Sequence, residues 1–182
     1  CLEFLAVNDH YQDAKSLQSY FVGRINKILS DRGLAMAGWE EVSMNISSDG
    51  SWSPNLNLIG KNVTSYVWNN LSNNIDLGYR LANAGFPIVL CDVSNLYFDM
   101  AYTKDPREQG SYWGGFVDTQ KVWEFIPENL YWSSKRSSLG KLFNPAVDFK
   151  ESVRLTEEGL ANISGIQGHL WSETVNGSDE ML

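Results

Sequence analysis

Four segments of the chain each end in an aromatic residue with a carboxylate or an amide one or two positions later. The four pairs are Trp39 with Glu40, Trp68 with Asn69, Tyr97 with Asp99, and Trp171 with Glu173. Flat aromatic faces can cover the C–H faces of a sugar ring, and carboxylates and amides can hydrogen-bond its hydroxyl groups. If the four pairs meet in space, these residue types indicate a site that binds carbohydrate.

The aromatic content also permits a purely structural interpretation. The chain has seven Trp and eight Tyr among 182 residues, and a Trp-rich core would account for them without a ligand. A core Trp can lie anywhere along an element, however, so four aromatic residues at equivalent strand ends are hard to attribute to packing. We interpret Trp123 and Trp132 as core residues and leave Trp52 unassigned.

The segments that position the four pairs are predicted from the spacing of apolar residues. Residues 88–91 form an uninterrupted apolar run between Pro87 and Asp92, which is typical of a strand buried on both faces of a parallel sheet. Three more strands are predicted at 34–37, 64–68 and 163–170. Helices are predicted from Asp13 to Gly33, from Asn74 or Asp76 to Gly85, from Asp118 to Pro127, and over 156–160.

Strands that alternate with helices predict an α/β fold with a parallel sheet. The carboxyl ends of parallel strands open onto one face, and in (β/α) barrels that face carries the active site. We therefore expect the four aromatic pairs, together with Asn95, to meet at this face. Two long loops, 43–62 and 100–117, are predicted beside it, and long connections in a compact domain are often functional.

Charge and composition argue against several classes of partner. The formal net charge is −8 and no run of Lys or Arg exceeds two residues, which disfavours nucleic acid and anionic membranes. No apolar stretch approaches the roughly 20 residues that span a bilayer, and no signal peptide is recognised. The two cysteines, Cys1 and Cys91, indicate neither a disulfide nor a metal site. No metal or organic cofactor is expected.

Seven sequence blocks occur in a fixed order between about residue 17 and residue 174. They are 37–40 (AGWE), 67–69 (VWN), 80–85 (RLANAG), 94–99 (SNLYFD), 112–113 (YW), 165–168 (GIQG) and 171–173 (WSE). Together they resemble the family 20 glycoside hydrolases, the β-N-acetylhexosaminidases, and most closely the bacterial chitobiase type. The resemblance implies that residues 1–182 are part of the family's catalytic domain, namely strands five to eight of a TIM (β/α)8 barrel.

The resemblance also implies a role for each candidate residue. The indoles that wall the subsite for the terminal N-acetyl sugar are Trp39, Trp68 and Trp171. Tyr97 resembles the residue whose hydroxyl donates to the acetamido carbonyl oxygen, and Asp99 and Glu173 resemble the carboxylates that bind sugar hydroxyls. Trp113, on the loop 100–117, resembles the indole that stacks on the next sugar.

The mechanism implied by the family is substrate-assisted retention, removing terminal N-acetylhexosamine from N-acetylhexosamine-containing glycans or chito-oligosaccharides. The substrate's own acetamido oxygen attacks the anomeric carbon, so that no enzyme carboxylate forms the covalent bond. A Glu protonates the leaving oxygen and a neighbouring Asp orients the amide, while a hydroxyl and an indole cage hold the acetamide in its attacking pose. The family resemblance further implies a periplasmic, cell-surface or secreted protein.

The sequence departs from the family at the general acid. The acid and its Asp partner lie in a His-x-Gly-Gly-Asp-Glu motif after the fourth strand, and the chain has no such motif. The dipeptide 179–180 reads as a solvated tail, Glu40 does not occupy the acid's position, and His10 stands alone. His169 is predicted to be a hydrogen-bonded core residue of the last strand. We therefore expect that the chain alone does not hydrolyse glycosides.

Two other interpretations remain open on sequence alone. The missing acid favours a non-catalytic module that binds N-acetyl sugars. A different glycosidase family would require two carboxylates about 5 to 10 Å apart, and no clear nucleophile stands out. Half of an eight-stranded barrel would also leave two open strand edges. We expect these edges to be covered by the chain's own loops, by a second copy in a homo-oligomer, or by a missing N-terminal half.

Overall fold

The central feature of the fold is a parallel sheet. A computed structural model describes residues 2–7, 14–47, 49–137 and 140–172. Its strands are β1 (Met36–Trp39), β2 (Met44–Ile46), β3 (Trp52–Pro54), β4 (Val63–Val67), β5 (Ile88–Leu90) and β6 (Ile163–Ile166). Four of them form a sheet in the order β1-β4-β5-β6 with every pair parallel, and β2 and β3 form an antiparallel hairpin. The predicted α/β class with a parallel sheet is confirmed.

One long helix and several short ones surround this sheet. They are α1 (Leu2–Ala6), α2 (Ala14–Ser30), α3 (Leu77–Asn83), α4 (Val93–Leu96), α5 (Thr119–Trp123), α6 (Leu130–Ser133), α7 (Pro145–Asp148) and α8 (Glu157–Leu160). The predicted cap Asp118 accepts a hydrogen bond from Lys121 N–H at the start of α5. The predicted cap Asp13 lies outside the described residues. No helix in the described ranges is long and apolar enough to cross a membrane.

The core lies between α3 and the middle of the sheet. Ile88 and Leu90 on β5 are fully buried, and Leu81 of α3 is fully buried with them. Gly78 allows this close packing, because a Cβ there would lie 2.7 Å from Leu90 Cδ2. Val89, on the other face of β5, is only half-buried. The prediction of a strand buried on both faces is therefore confirmed for the face toward α3 and only in part for the other.

Two predictions about buried tryptophans are wrong. Trp123 is 88% exposed and Trp132 is 59% exposed. They lie on α5 and α6, which have only five and four residues, and such short helices turn few side chains inward. The unassigned Trp52 lies on β3, half-buried, with the Arg80 guanidinium 3.8 Å from its ring centroid.

The end of the last strand also differs from its prediction. β6 stops at Ile166, four residues before the predicted end at Leu170. Residue 169 lies beyond the strand and forms an isolated parallel bridge with Tyr97. Through this bridge the chain segments that follow β5 and β6 remain parallel neighbours. Segments 96–99 and 167–171 therefore lie side by side at the carboxyl end of the sheet.

Candidate active site

A pocket of about 430 Å³ opens at the carboxyl ends of the parallel strands. Its lining consists of Trp39, Trp68, Tyr97, Asp99, Ser111, Trp113 and Trp171. Glu40 and Asn69, the polar members of two of the predicted pairs, do not line the pocket. Six of the seven residues to which the resemblance assigns a role are brought together. The seventh, Glu173, lies outside the described residues. Ser111 was missed by the sequence analysis, because a single serine on a long loop carries no signal.

The aromatic side chains of the pocket form one continuous wall. Ring centroids lie 6.1 Å apart for Trp39 and Trp171, and 6.0 Å apart for Trp171 and Tyr97. Trp113 reaches over from the loop 100–117 and meets Tyr97 and Trp68 edge to face, at 6.0 Å in each case. Edge-to-face pairs at this distance stabilise each other beyond simple area burial. These ring contacts therefore hold the side chains of the wall against one another.

Tyr97 is positioned by backbone hydrogen bonds on both of its sides. His169 N–H donates to Leu96 O (2.8 Å), and Phe98 N–H donates to His169 O (2.7 Å). Burial raises the pKa of the Tyr97 hydroxyl to about 12, and nearby charged groups including Asp99 add to the rise. The hydroxyl therefore keeps its proton at every physiological pH and can act as a hydrogen-bond donor.

His169 packs against the aromatic wall instead of lying in a strand. Its ring stacks on Trp171 at 5.7 Å with an interplanar angle of 8°, and it lies 5.2 Å from Tyr97 and 5.3 Å from Trp39. Burial lowers the pKa of its imidazole, against the opposing charge of Asp99. Its Nε2 is buried and has no hydrogen-bond partner among the described residues. The prediction of a hydrogen-bonded core histidine in the last strand is therefore wrong.

Two carboxyl groups, Glu40 and Asp92, are buried and do not line the pocket. Glu40 is 2% exposed, and its Oε2 accepts a hydrogen bond from Trp68 N–H (3.0 Å). Burial raises the pKa of Glu40 to about 7, although the Trp68 N–H opposes the rise. Burial likewise raises the pKa of Asp92 to about 8, with the Asn70 side chain opposing it and the Glu40 charge adding to it. Burial therefore favours the protonated form of both groups, and the charge of Glu40 further disfavours ionisation of Asp92.

Asn95 does not belong to the pocket, contrary to the expectation. It is fully buried in α4, where its Nδ2 donates to Lys121 O (3.1 Å) and its Oδ1 accepts from Ser94 Oγ (2.7 Å). The bond to Lys121 ties α4 to α5. Asn95 therefore supports the segment that carries Tyr97 without facing a ligand.

The loop 100–117 returns to the pocket through a tight approach at Gly110. Ser111 N–H donates to Asp99 O (3.0 Å), and Ala101 N–H donates to Ser111 O (2.7 Å). Gly110 has φ +102°, and a Cβ there would lie 2.6 Å from Asp99 O. The glycine therefore lets the loop close against Asp99, which brings Ser111 and Trp113 to the pocket.

Comparison with known proteins identifies the family. The sequence model described as "Glycosyl hydrolase family 20, catalytic domain" matches residues 1–182. The chain belongs to glycosyl hydrolase family 20. The resemblance found in the sequence blocks is confirmed.

The family 20 chain is similar to much longer bacterial enzymes. It is 32% identical over 178 residues to the β-hexosaminidase of Vibrio vulnificus, covering 94% of the chain and 19% of that protein. It is 26% identical over 174 residues to the N,N'-diacetylchitobiase of Vibrio harveyi, covering 92% of the chain and 18% of that protein. The chain thus spans about a fifth of the length of these relatives.

Two solved structures of bacterial proteins share the fold. The exo β-N-acetylglucosaminidase of Vibrio harveyi in complex with N-acetylglucosamine aligns with a TM-score of 0.66 at 25% identity, covering 100% of the chain and 22% of that structure. The N-acetyl-β-hexosaminidase of Streptomyces plicatus aligns with a TM-score of 0.59 at 20% identity, covering 92% of the chain and 27% of that structure. The second likeness bears on the fold alone.

Replacing Gly110 with alanine is expected to destabilise this family 20 chain by roughly 1–3 kcal/mol, because the added methyl group collides with backbone and φ is positive. The matched control is Gly23→Ala in α2, where a Cβ meets nothing within 4 Å and a gain of about 0.5–1 kcal/mol is expected. Thermal unfolding of the two variants measures the difference. Equal midpoints would contradict the close approach at Gly110.

Proposed function

We propose that the chain is the sugar-binding part of an exo-acting β-N-acetylhexosaminidase. One observation carries the proposal: Trp39, Trp68, Tyr97 and Trp171, which come from four separate segments, line a single pocket. Family 20 membership supports the same activity. The substrates would be glycans or chito-oligosaccharides that end in N-acetylhexosamine.

The proposed architecture is the second half, strands five to eight, of a TIM (β/α)8 barrel. The four strands are parallel and follow one another in the sheet in chain order, with β1 and β6 at the two edges of the described sheet. A barrel would pair both edges with further strands. Relatives about five times as long leave ample sequence for them, and a second copy of the chain is the alternative cover.

In the proposed complex the pocket encloses an N-acetyl sugar. The indoles of Trp39, Trp68 and Trp171 would surround the acetamido methyl group, and Trp113 would stack on the next sugar. Asp99 would accept hydrogen bonds from sugar hydroxyls, and Glu173 is proposed to do the same from outside the described residues. The pocket is lined chiefly by aromatic carbon, with few polar groups to fix orientation, which is the usual composition of a small-ligand site.

The proposed chemistry uses the acetamido oxygen of the substrate as the nucleophile. Tyr97 would donate its proton to that carbonyl oxygen in a hydrogen bond and hold it against the anomeric carbon. Because the pKa of Tyr97 is about 12, the donor stays protonated throughout the working pH range. Fixing the pose in advance removes orientational entropy from the barrier.

The general acid is proposed to lie outside these 182 residues. The sequence has no Asp-Glu pair after Gly-Gly, and Glu40 is buried behind Trp68 and engaged by its backbone. A catalytic carboxyl must reach the leaving oxygen directly or through one water molecule, whereas Glu40 is almost completely buried and does not line the pocket. The same absence is the observation that favours the alternative function, a non-catalytic module that binds N-acetyl sugars.

Hydrolysis of p-nitrophenyl N-acetyl-β-glucosaminide separates the two functions. We expect the full-length protein to release p-nitrophenol, and the 182-residue chain, once circular dichroism has shown it to be folded, to release none. Binding of N-acetylglucosamine by a full-length protein that never turns over would favour the non-catalytic module. Turnover by the folded 182-residue chain would overturn the placement of the acid.

A further inference from the structure

The backbone N–H of Trp68 points toward β1. In the β1–β4 ladder Met36 N–H donates to Asn62 O (2.9 Å), whereas Ser65 N–H donates to Pro87 O, on the β5 side (3.0 Å). Backbone groups along a strand alternate between its two neighbours. Even-numbered residues of β4 therefore face β1, and Trp68 continues this alternation one residue after the strand ends.

β1 offers no backbone acceptor at that step. Trp39 and Tyr66 are the last partners in the register, and the chain then turns into the 3-10 helix Glu40–Ser43. In a regular continuation the next acceptor would be the backbone carbonyl of Glu40. The side chain of the same residue takes its place, since Trp68 N–H donates to Glu40 Oε2 (3.0 Å). The carboxyl group thus extends the ladder by one step.

The other side of Trp68 is fixed as well. Val93 N–H donates to Trp68 O (3.0 Å), so the peptide groups of Trp68 are held between Glu40 and the start of α4. The indole that they carry lines the pocket and meets Trp113 at 6.0 Å. Glu40 is almost completely buried, so water cannot readily replace its oxygen if the side chain is changed.

We propose that Glu40 is a positioning residue that sets the placement of Trp68, and through it the wall of the pocket that receives the acetamido group. The inference rests on the proposed function for its substrate, but the hydrogen bond on which it depends can be tested without any substrate. Glu40 touches no sugar in this proposal. It acts through the Trp68 backbone, in the manner of supporting residues that hold a binding group in its productive geometry.

The test compares Glu40→Met with Glu40→Gln in the full-length protein. Methionine has nearly the same length and suits a buried site but cannot accept this hydrogen bond, whereas glutamine keeps an oxygen acceptor. For an N-acetyl-β-glucosaminide we expect E40M to raise KM roughly tenfold with a much smaller change in kcat, as expected from one lost hydrogen bond. E40Q is expected to stay within about threefold of the wild type. Glu41→Met is the matched control at the neighbouring position.

Amide hydrogen exchange at Trp68 is the second readout. We expect exchange there to be about tenfold faster in E40M than in the wild type, and E40Q and E41M to resemble the wild type. If E40M leaves both the exchange at Trp68 and KM unchanged, or if E40Q is impaired as much as E40M, the positioning role is overturned. A wild-type protein that neither binds nor hydrolyses the sugar would refute the proposed function instead, and the exchange measurement would still decide the role of Glu40.

Discussion

Replacing Tyr97 with phenylalanine is expected to lower kcat/KM of the full-length protein about a hundredfold for an N-acetyl-β-glucosaminide. The substitution keeps the ring, and with it the contacts to Trp113, His169 and Trp171, but removes the hydroxyl proposed to hold the acetamido oxygen. Loss of one preorganised donor at a reacting centre typically costs a factor of 100 to 1,000, and a small misplacement of reacting groups has a similar effect.

Steady-state kinetics of Y97F beside Trp132→Phe provide the measurement and its control. Trp132 lies on α6, is largely exposed and does not line the pocket, so W132F should retain the wild-type rate. The proposed role predicts a fall mainly in kcat for Y97F. A Y97F protein that keeps the wild-type kcat would remove Tyr97 from the mechanism.

Replacing Glu40 with glutamine is expected to make the protein more stable than the wild type at pH 8, by an amount on the order of 3 kcal/mol. Folding raises the pKa of Glu40 from 4.5 to about 7, chiefly through burial, so the folded state binds this proton more tightly than the unfolded state. Each tenfold difference in proton affinity corresponds to about 1.4 kcal/mol of unfolding free energy, which gives the size of the effect. The stabilisation by the protonated Glu40 is fully present below pH 4.5. It is lost as the pH rises through 7.

Thermal midpoints of E40Q and the wild type at pH 5 and at pH 8 check this sign. Glutamine does not titrate, so the advantage of E40Q should be larger at pH 8 than at pH 5. Asp92, whose pKa is raised in the same direction, leaves a residual loss of stability with rising pH in both proteins. Glu41→Gln is the control, and an advantage of E40Q that shrinks toward pH 8 would contradict the burial of an ionisable carboxyl group.

That the aromatic residues line one pocket could be predicted from sequence, because the prediction requires only two observations. The apolar run 88–91 identifies a buried parallel strand, and parallel strands place their carboxyl ends on one face. Trp39 is the last residue of β1, and Trp68 directly follows β4. An error of one or two residues in the predicted end of either strand therefore did not move these residues away from that face. Tyr97 and Trp171 lie several residues beyond their strands, and the bridge between Tyr97 and His169 keeps them in line.

The wrong predictions concern elements that are too short to show a clear spacing of apolar residues. α5 and α6 are shorter than two helical turns, so the apolar pattern around Trp123 and Trp132 does not define an inward face. The hairpin β2–β3 lies in the Ser- and Asn-rich segment 43–62, which was predicted to be a loop, because strands of three residues show almost no alternation. Such short elements are held by their tertiary neighbours and not by local preference.

The buried carboxyl groups could not be found from sequence for a different reason. Glu40 follows a tryptophan and precedes another glutamate, a pattern that usually marks a solvated turn. Its buried carboxyl group accepts a hydrogen bond from the backbone N–H of Trp68, which is 28 residues away in the chain. Only the ends of β1 and β4, seen together, explain why a carboxyl oxygen is needed there.

The continuous aromatic wall has a practical consequence for measuring ligand occupancy. Four of the seven tryptophans line the pocket, whereas Trp123 and Trp132 face solvent. A sugar that displaces water from the wall would shift the fluorescence emission of the four indoles to shorter wavelength. It would also shield Trp113 and Trp171, which are 51% and 37% exposed, from a soluble quencher such as iodide. The protein therefore carries its own optical reporter, and titration with a monosaccharide needs no dye, no radioactivity and no turnover.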